Sequence, residues 1–193
     1  MIGRREFLST AIATALMGAS SRASLAESKT YVIPEAHNPR KVWLKTKLEP
    51  GEIHVDPNQY ALYWTLPNRR AIRFAVGIGR PGLYAAGEFT VGRKAEWPRW
   101  RPTERMIART PAYARYADGM AGGPNNPLGA RALYLYNARG YDSALRIHGT
   151  NKPWTIGHSI SNGCARLIND HAIMLYDMVP VGTRVVLHPK NSA

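Results

Sequence analysis

Between residues 51 and 78 apolar positions recur with a period of two. In "GEIHVD" Ile53 and Val55 fall on one face, and "QYALYWTL" is apolar on both faces. In "AIRFAVGI" Ile72, Phe74, Val76 and Ile78 alternate with smaller or charged residues. Successive side chains of an extended chain point to opposite faces, so these segments read as strands, with Pro67-Asn68 marking a turn. "ALYLY" at 132–136, "ALRIH" at 144–148 and "TRVVLH" at 183–188 repeat the pattern. A helical spacing appears at 170–179. There Asn169 is a good N-cap, Asp170 favours the positive helix end, and Ile173, Leu175, Tyr176 and Val179 form an apolar face. Pro180 and Gly182 stop that helix. The predicted fold is mainly β, with one or two short helices and no internal repeat.

Other stretches carry no such period. Residues 27–50 contain Pro34, Pro39 and Pro50 and read as an extended arm ahead of a domain at 51–188. Residues 79–87, with three glycines and a proline, form a loop. The region 94–129 is long and irregular, and such a segment in a compact domain is functional or disordered. Its Trp97, Trp100, Met106 and Met120 argue against disorder. It reads either as a lid or wall of a cleft, or as a satellite apolar cluster packed away from any site.

The first 26 residues are an export signal in layout. Arg4-Arg5 precede an uncharged stretch at 7–21, and Ser24-Leu25-Ala26 offers a cleavage site. That stretch is shorter than the roughly 20 residues needed to span a bilayer. The pair resembles a twin-arginine signal, which implies a domain folded before export to the periplasm or cell envelope.

Charge then narrows the partners. The 193 residues carry a formal +13, which falls to +11 if the signal is removed. Nucleic acid, an anionic membrane and an acidic polymer are all compatible with that sign. The basic residues are dispersed, however, and no nucleic-acid-binding motif accompanies them, so nucleic acid is set aside. One cysteine excludes an intrachain disulfide, and with His148, His158 and His171 it matches no standard metal-ligand spacing.

That cysteine, Cys164, lies in "IHGTNKPWTIGHSISNGCARL" at 147–167. A free cysteine is either a small buried apolar residue or a nucleophile with a histidine base close in space. Several features of the stretch favour the nucleophile. His148 ends a strand, and the loop after it returns to Cys164. A thiol with a pKa near 8.5 needs such an imidazole to take its proton. The carbonyl of Gly149 is placed to fix the imidazole tautomer. The glycine turn "SNGC" would let the backbone N–H groups of Asn162, Gly163 and Cys164 converge on a developing oxyanion. His158 reads as a loop residue near the cleft mouth, and His171 as a solvated residue of the first helical turn.

"IHGT…SNGCARL" resembles the His-Gly-Thr and Ser-x-Gly-Cys-x-Arg signature of the L,D-transpeptidase (YkuD) catalytic domain. "GEIHVDPNQYALYW", "NPLGARALYL" and "NDHAIMLYDMVPVGTRVVL" resemble other segments of that family, over about residues 50–188. Two positions depart from it. Asn162 stands where many members have His, and Ala85-Ala86 where many have Thr-Pro.

The resemblance implies a β-sandwich catalytic domain with Cys164 as acyl-accepting nucleophile and His148 as base. Gly149 orients the histidine, and Asn162, Gly163 and Cys164 supply the oxyanion site. Arg166 either binds a substrate carboxylate or braces the loop. The implied partners are peptidoglycan stem peptides, without metal or organic cofactor, and carbapenems are implied inhibitors. The implied reaction is a 3→3 cross-link through a thioester. An L,D-carboxypeptidase would use the same residues, and a non-catalytic wall-binding module would need neither the cysteine nor the histidine.

Overall fold

The structure, a computed structural model, describes residues 31–191. The export signal expected at 1–26 lies outside them. Eleven strands and two helices follow in order. They are β1 (Arg40–Trp43), β2 (Ile53–Asp56), β3 (Ala61–Leu66), β4 (Arg70–Ala75), β5 (Ile78–Gly79) and β6 (Gly87–Glu96), then α1 (Glu104–Arg109). After them come β7 (Arg131–Tyr136), β8 (Asp142–His148), β9 (Ser159–Ser161), β10 (Ala165–Arg166), α2 (Asn169–Met178) and β11 (Arg184–Leu187).

Nine strands form one mixed sheet in the order β1-β4-β3-β2-β11-β6-β7-β8-β10, and β5 pairs with β9 in a small second sheet. The strands of the large sheet share one main core. Ile53, Val55, Leu62 and Phe74 from β2–β4 pack in the same cluster as Leu133, Leu135 and Ile147 from β7 and β8. Fully burying one such side chain contributes about 2 kcal/mol. Leu175 of α2 joins this cluster, and α2 lies against β7 and β8. The C-terminal turn of α2 is held from the sheet, because Lys94 Nζ donates to the carbonyls of Tyr176 and Val179 at 2.6 and 2.7 Å. Those carbonyls have no partner within the helix.

The end strand β10 reaches across to Gly77, just after β4. The Gly77 N–H donates to the Arg166 carbonyl of β10 at 2.9 Å, and the Arg166 N–H donates back at 2.8 Å. This pairing carries the chain segment that holds Cys164.

Several expectations are corrected. Residues 40–43, read as part of an unpacked arm, pair antiparallel with β4 as an edge strand, since that edge offers unpaired backbone groups. Ile33 of the same arm packs on Ala75, Ile156 and Ile168. The region 94–129 is not irregular throughout. It opens as the end of β6 and contains α1 and a 3-10 turn at Pro111–Tyr116. Thr103 caps α1 by accepting from the Met106 N–H. Asn169 is the first helical residue of α2 instead of its cap, which is Ile168. His171 is buried at 6% exposure, not solvated, because its turn faces Phe74.

Candidate active site

β8 and β10 run parallel, with Ile147 opposite Ala165 and His148 opposite Arg166. Strand alternation sorts the side chains of this pair. Ile147 and Ala165 enter the core. Arg146, His148, Cys164 and Arg166 all line a cleft of about 1120 Å³ on the other face. Nucleophile and base candidates, 16 residues apart in the chain, are thus brought to one surface by strand register.

His148 is 3% exposed, and its Nδ1–H donates to the Gly149 carbonyl at 2.5 Å. This bond fixes the tautomer and leaves Nε2 unprotonated. Burial and then the Arg166 charge push the imidazole pKa down to about 3, against the pull of the Gly149 carbonyl. The ring is therefore neutral over the whole physiological range. Gly149 is glycine for a steric reason. A Cβ there would lie 2.3 Å from Asn169 Oδ1.

Cys164 is partly exposed. Burial pushes its thiol pKa up, while the Arg146 backbone N–H and the guanidiniums of Arg146 and Arg166 act in the opposite direction. The turn before it is locked by Ser161. That hydroxyl donates to the Cys164 carbonyl at 2.7 Å and accepts from the Gly163 N–H at 3.1 Å. Gly163 has φ +123°, and a Cβ on it would lie 2.9 Å from the Leu83 carbonyl, so glycine is required. The N–H of Gly163 is engaged by Ser161, so of the three amides expected at an oxyanion site those of Asn162 and Cys164 remain. Asn162 is oriented by Arg80, whose Nη2 donates to its Oδ1 at 2.9 Å.

Arg166 does not brace the loop. Among the described residues its side chain makes no hydrogen bond, its Nε is buried without a partner, and it lines the cleft beside Cys164. Its charge is free for an anion in the cleft.

The far wall comes from residues 99–120. Trp100 and Met120 exchange backbone hydrogen bonds at 2.9 and 2.7 Å and close the segment at its base. Arg99 and Arg101 donate to the carbonyls of Asp118 and Ala117 across the same base. The Trp100 indole meets Tyr113 and Tyr116 edge-on, with centroids 5.4 and 5.6 Å apart. Trp100, Met106 and Met120 line the cleft. Trp97, expected with them, is 45% exposed and lies off it. His158 is an exposed loop residue outside the cleft lining. The cleft carries eight arginines and Lys152 against one carboxylate, Glu104.

Two positioning residues have no signal in the linear motif. Asn169 Oδ1 accepts from the N–H groups of Ala130 and Thr150, both at 3.0 Å, and so ties Thr150, next to Gly149, and the neighbouring segment at Ala130 to α2. Arg80 reaches Asn162 from 82 residues away. Among the described residues no three His, Cys, Asp or Glu side chains converge to hold a metal ion.

A family model for the L,D-transpeptidase catalytic domain matches residues 50–187. The chain is 36% identical over 154 residues to the probable L,D-transpeptidase ErfK/SrfK of Escherichia coli, covering 76% of this chain and 46% of that one. It is 36% identical over 146 residues to the putative L,D-transpeptidase YqjB of Bacillus subtilis, covering 74% of each. The chain thus spans about half the length of the first relative and three quarters of the second.

Among solved structures, a Brucella melitensis protein described as a probable carnitine operon oxidoreductase is 46% identical. Its TM-score is 0.56, with 81% of this chain and 96% of that one covered. The Enterococcus faecium L,D-transpeptidase catalytic domain acylated by ertapenem shares the fold at 21% identity and TM-score 0.51, covering 74% of this chain and all of that one.

Proposed function

Because the chain belongs to the L,D-transpeptidase catalytic-domain family, a family of cysteine enzymes, we propose that it joins peptidoglycan stem peptides by 3→3 cross-links. The observation that carries this reading is the shared cleft face of Cys164, His148 and Arg166 on paired strands.

In the proposed reaction the Cys164 thiol gives its proton to His148 Nε2. The thiolate attacks the carbonyl between diaminopimelate and the terminal D-Ala of a tetrapeptide stem. Charge developing on the carbonyl oxygen is met by the backbone N–H groups of Asn162 and Cys164. The C–N bond breaks, D-Ala leaves with the proton from His148, and a thioester remains. An amine of a second stem then loses a proton to His148 and attacks the thioester, and Cys164 leaves as the thiol. The unpartnered Arg166 supports the transient thiolate and attracts the stem carboxylates. No residue role here calls for a metal or organic cofactor.

Incubating the protein with tetrapeptide-bearing sacculi and weighing the muropeptides tests the reading. The expected products are 3→3 dimers, absent with Cys164→Ala. Tripeptide alone, even at high acceptor concentration, would make the enzyme an L,D-carboxypeptidase instead. Ertapenem, which acylates the E. faecium relative, is expected to add one drug mass to this protein and none to Cys164→Ala.

We further propose export through the Arg4-Arg5 leader to the periplasm. Replacing the pair with Lys-Lys should then hold the precursor in the cytoplasm, whereas unchanged delivery would rule out a twin-arginine route.

A further inference from the structure

The cations of the cleft fall into two groups. Some are already committed. Arg99 and Arg101 hold backbone carbonyls of their own segment. Arg146 is paired with Asp142 at 2.5 and 2.8 Å, and Arg93 and Arg146 both lie over the Tyr134 ring, 3.5 and 4.1 Å from its centroid. Arg105 and Arg109 are different. They are exposed, line the cleft, and make no hydrogen bond or ion pair among the described residues. They stand four residues apart on α1, so their side chains are neighbours on one helix face. Tyr113, in the turn that follows α1, lines the cleft together with Arg166. The arginine pair therefore lines the same cleft as Cys164 and Arg166.

We propose that Arg105 and Arg109 form an acceptor subsite that grips a carboxylate borne on the same carbon as the attacking amine. This rests on the transpeptidase reading above and specifies which amines resolve the thioester. In the 3→3 reaction the attacking amine sits at the D-centre of diaminopimelate, and that carbon also carries a free carboxylate. A guanidinium clamp on the carboxylate fixes the position of the amine one bond away, and such orientation is worth much of a barrier. Guanidinium offers donors only. A carboxylate accepts from it bidentately. A carboxamide in its place sets its own N–H₂ donors against a wall whose one carboxylate is Glu104. The wall thus rejects the amide as well as favouring the acid. Any D-amino acid presents the same amine–carboxylate pair.

Intrinsic reactivity works against this preference. The α-amine of an amino acid amide is less basic than that of the acid, so more of it is unprotonated and ready to attack. A preference for the acid must therefore come from the protein.

The test uses the full chain, a tetrapeptide stem as donor, and D-methionine or D-methioninamide as competing acceptors, with products weighed by mass spectrometry. The wild type is expected to favour D-methionine by at least about tenfold, the effect of one charge-assisted hydrogen bond. In Arg105→Gln/Arg109→Gln the ratio should fall to one or below, as intrinsic reactivity dictates, and Arg105→Lys/Arg109→Lys should keep part of the wild-type preference. Raising the salt should narrow the wild-type ratio. Equal use of both acceptors by the wild type, or an unchanged ratio in the glutamine variant, overturns the subsite. D-Ala release and a thioester-sized mass on Cys164 are read in the same samples. If neither forms, the transpeptidase reading itself fails, and the two failures stay distinct.

Discussion

His148 shows how burial sets the charge of one side chain. Neutral imidazole is the form that accepts a proton, and the fold keeps it neutral by removing water and setting Arg166 opposite it in register. The same arrangement has a stability consequence. In the unfolded chain this group titrates near 6.5, and in the folded chain near 3. Between those values the unfolded state binds more protons, so the contribution is complete above pH 6.5 and is lost as pH falls toward 3. By pH 5 the loss from this one group is about 2 kcal/mol. Urea midpoints from pH 7 to pH 5 should therefore fall more steeply for the wild type than for His148→Gln, which has nothing to protonate there. His37, His54 and His171 also have lowered values, but they are common to both proteins and cancel in the difference. Parallel curves would mean that His148 is not held neutral by the fold.

At the scale of elements, α2 does more than cover the sheet. Its first residue, Asn169, bonds the backbone N–H groups of Thr150, next to Gly149, and of Ala130 on the neighbouring segment, and Gly149 in turn holds His148. Asn169→Ala leaves both donors without a partner. At roughly 1–3 kcal/mol for each buried unsatisfied group, the expected loss is about 3 kcal/mol, or roughly 6–12 °C in Tm. Ertapenem acylation of Cys164 should slow with it, and Asn169→Asp, which still accepts both bonds, should retain most of each property. Normal stability and acylation in the alanine variant would leave Asn169 without a positioning role.

The sequence made the strand pattern, the α2 segment and the glycine turn at Cys164 legible, because each depends on local period or spacing. The role of Asn169 was hidden. An asparagine ahead of an apolar face reads as a cap, and its true partners are 39 and 19 residues away. β1 was hidden for a related reason. Three prolines made 27–50 look unpaired, and only the open edge of β4 turns four of its residues into a strand. The unpartnered state of Arg166 is likewise a property of the assembled cleft.

At the scale of the whole molecule, β8 and β10, bonded across to Gly77, supply a floor, and the 99–120 segment supplies a wall of the same cleft. The division matters for the fate of a thioester. Open to bulk water it is hydrolysed, whereas behind a wall it persists until an amine arrives. The wall is held by the Trp100–Met120 backbone pair and by the packing of Trp100 against Tyr113 and Tyr116. Trp100 is 9% exposed, so truncating it removes the wall's main apolar support while leaving Arg105 and Arg109 in the chain. Trp100→Ala should therefore admit water and lower the ratio of 3→3 dimer to tripeptide severalfold, while Cys164 still takes up ertapenem at near the wild-type rate. Trp97→Ala is the matched control, because that indole lies off the cleft and should leave the ratio in place. If Trp100→Ala keeps the wild-type product ratio, water is excluded by the floor alone and the wall serves only to bind.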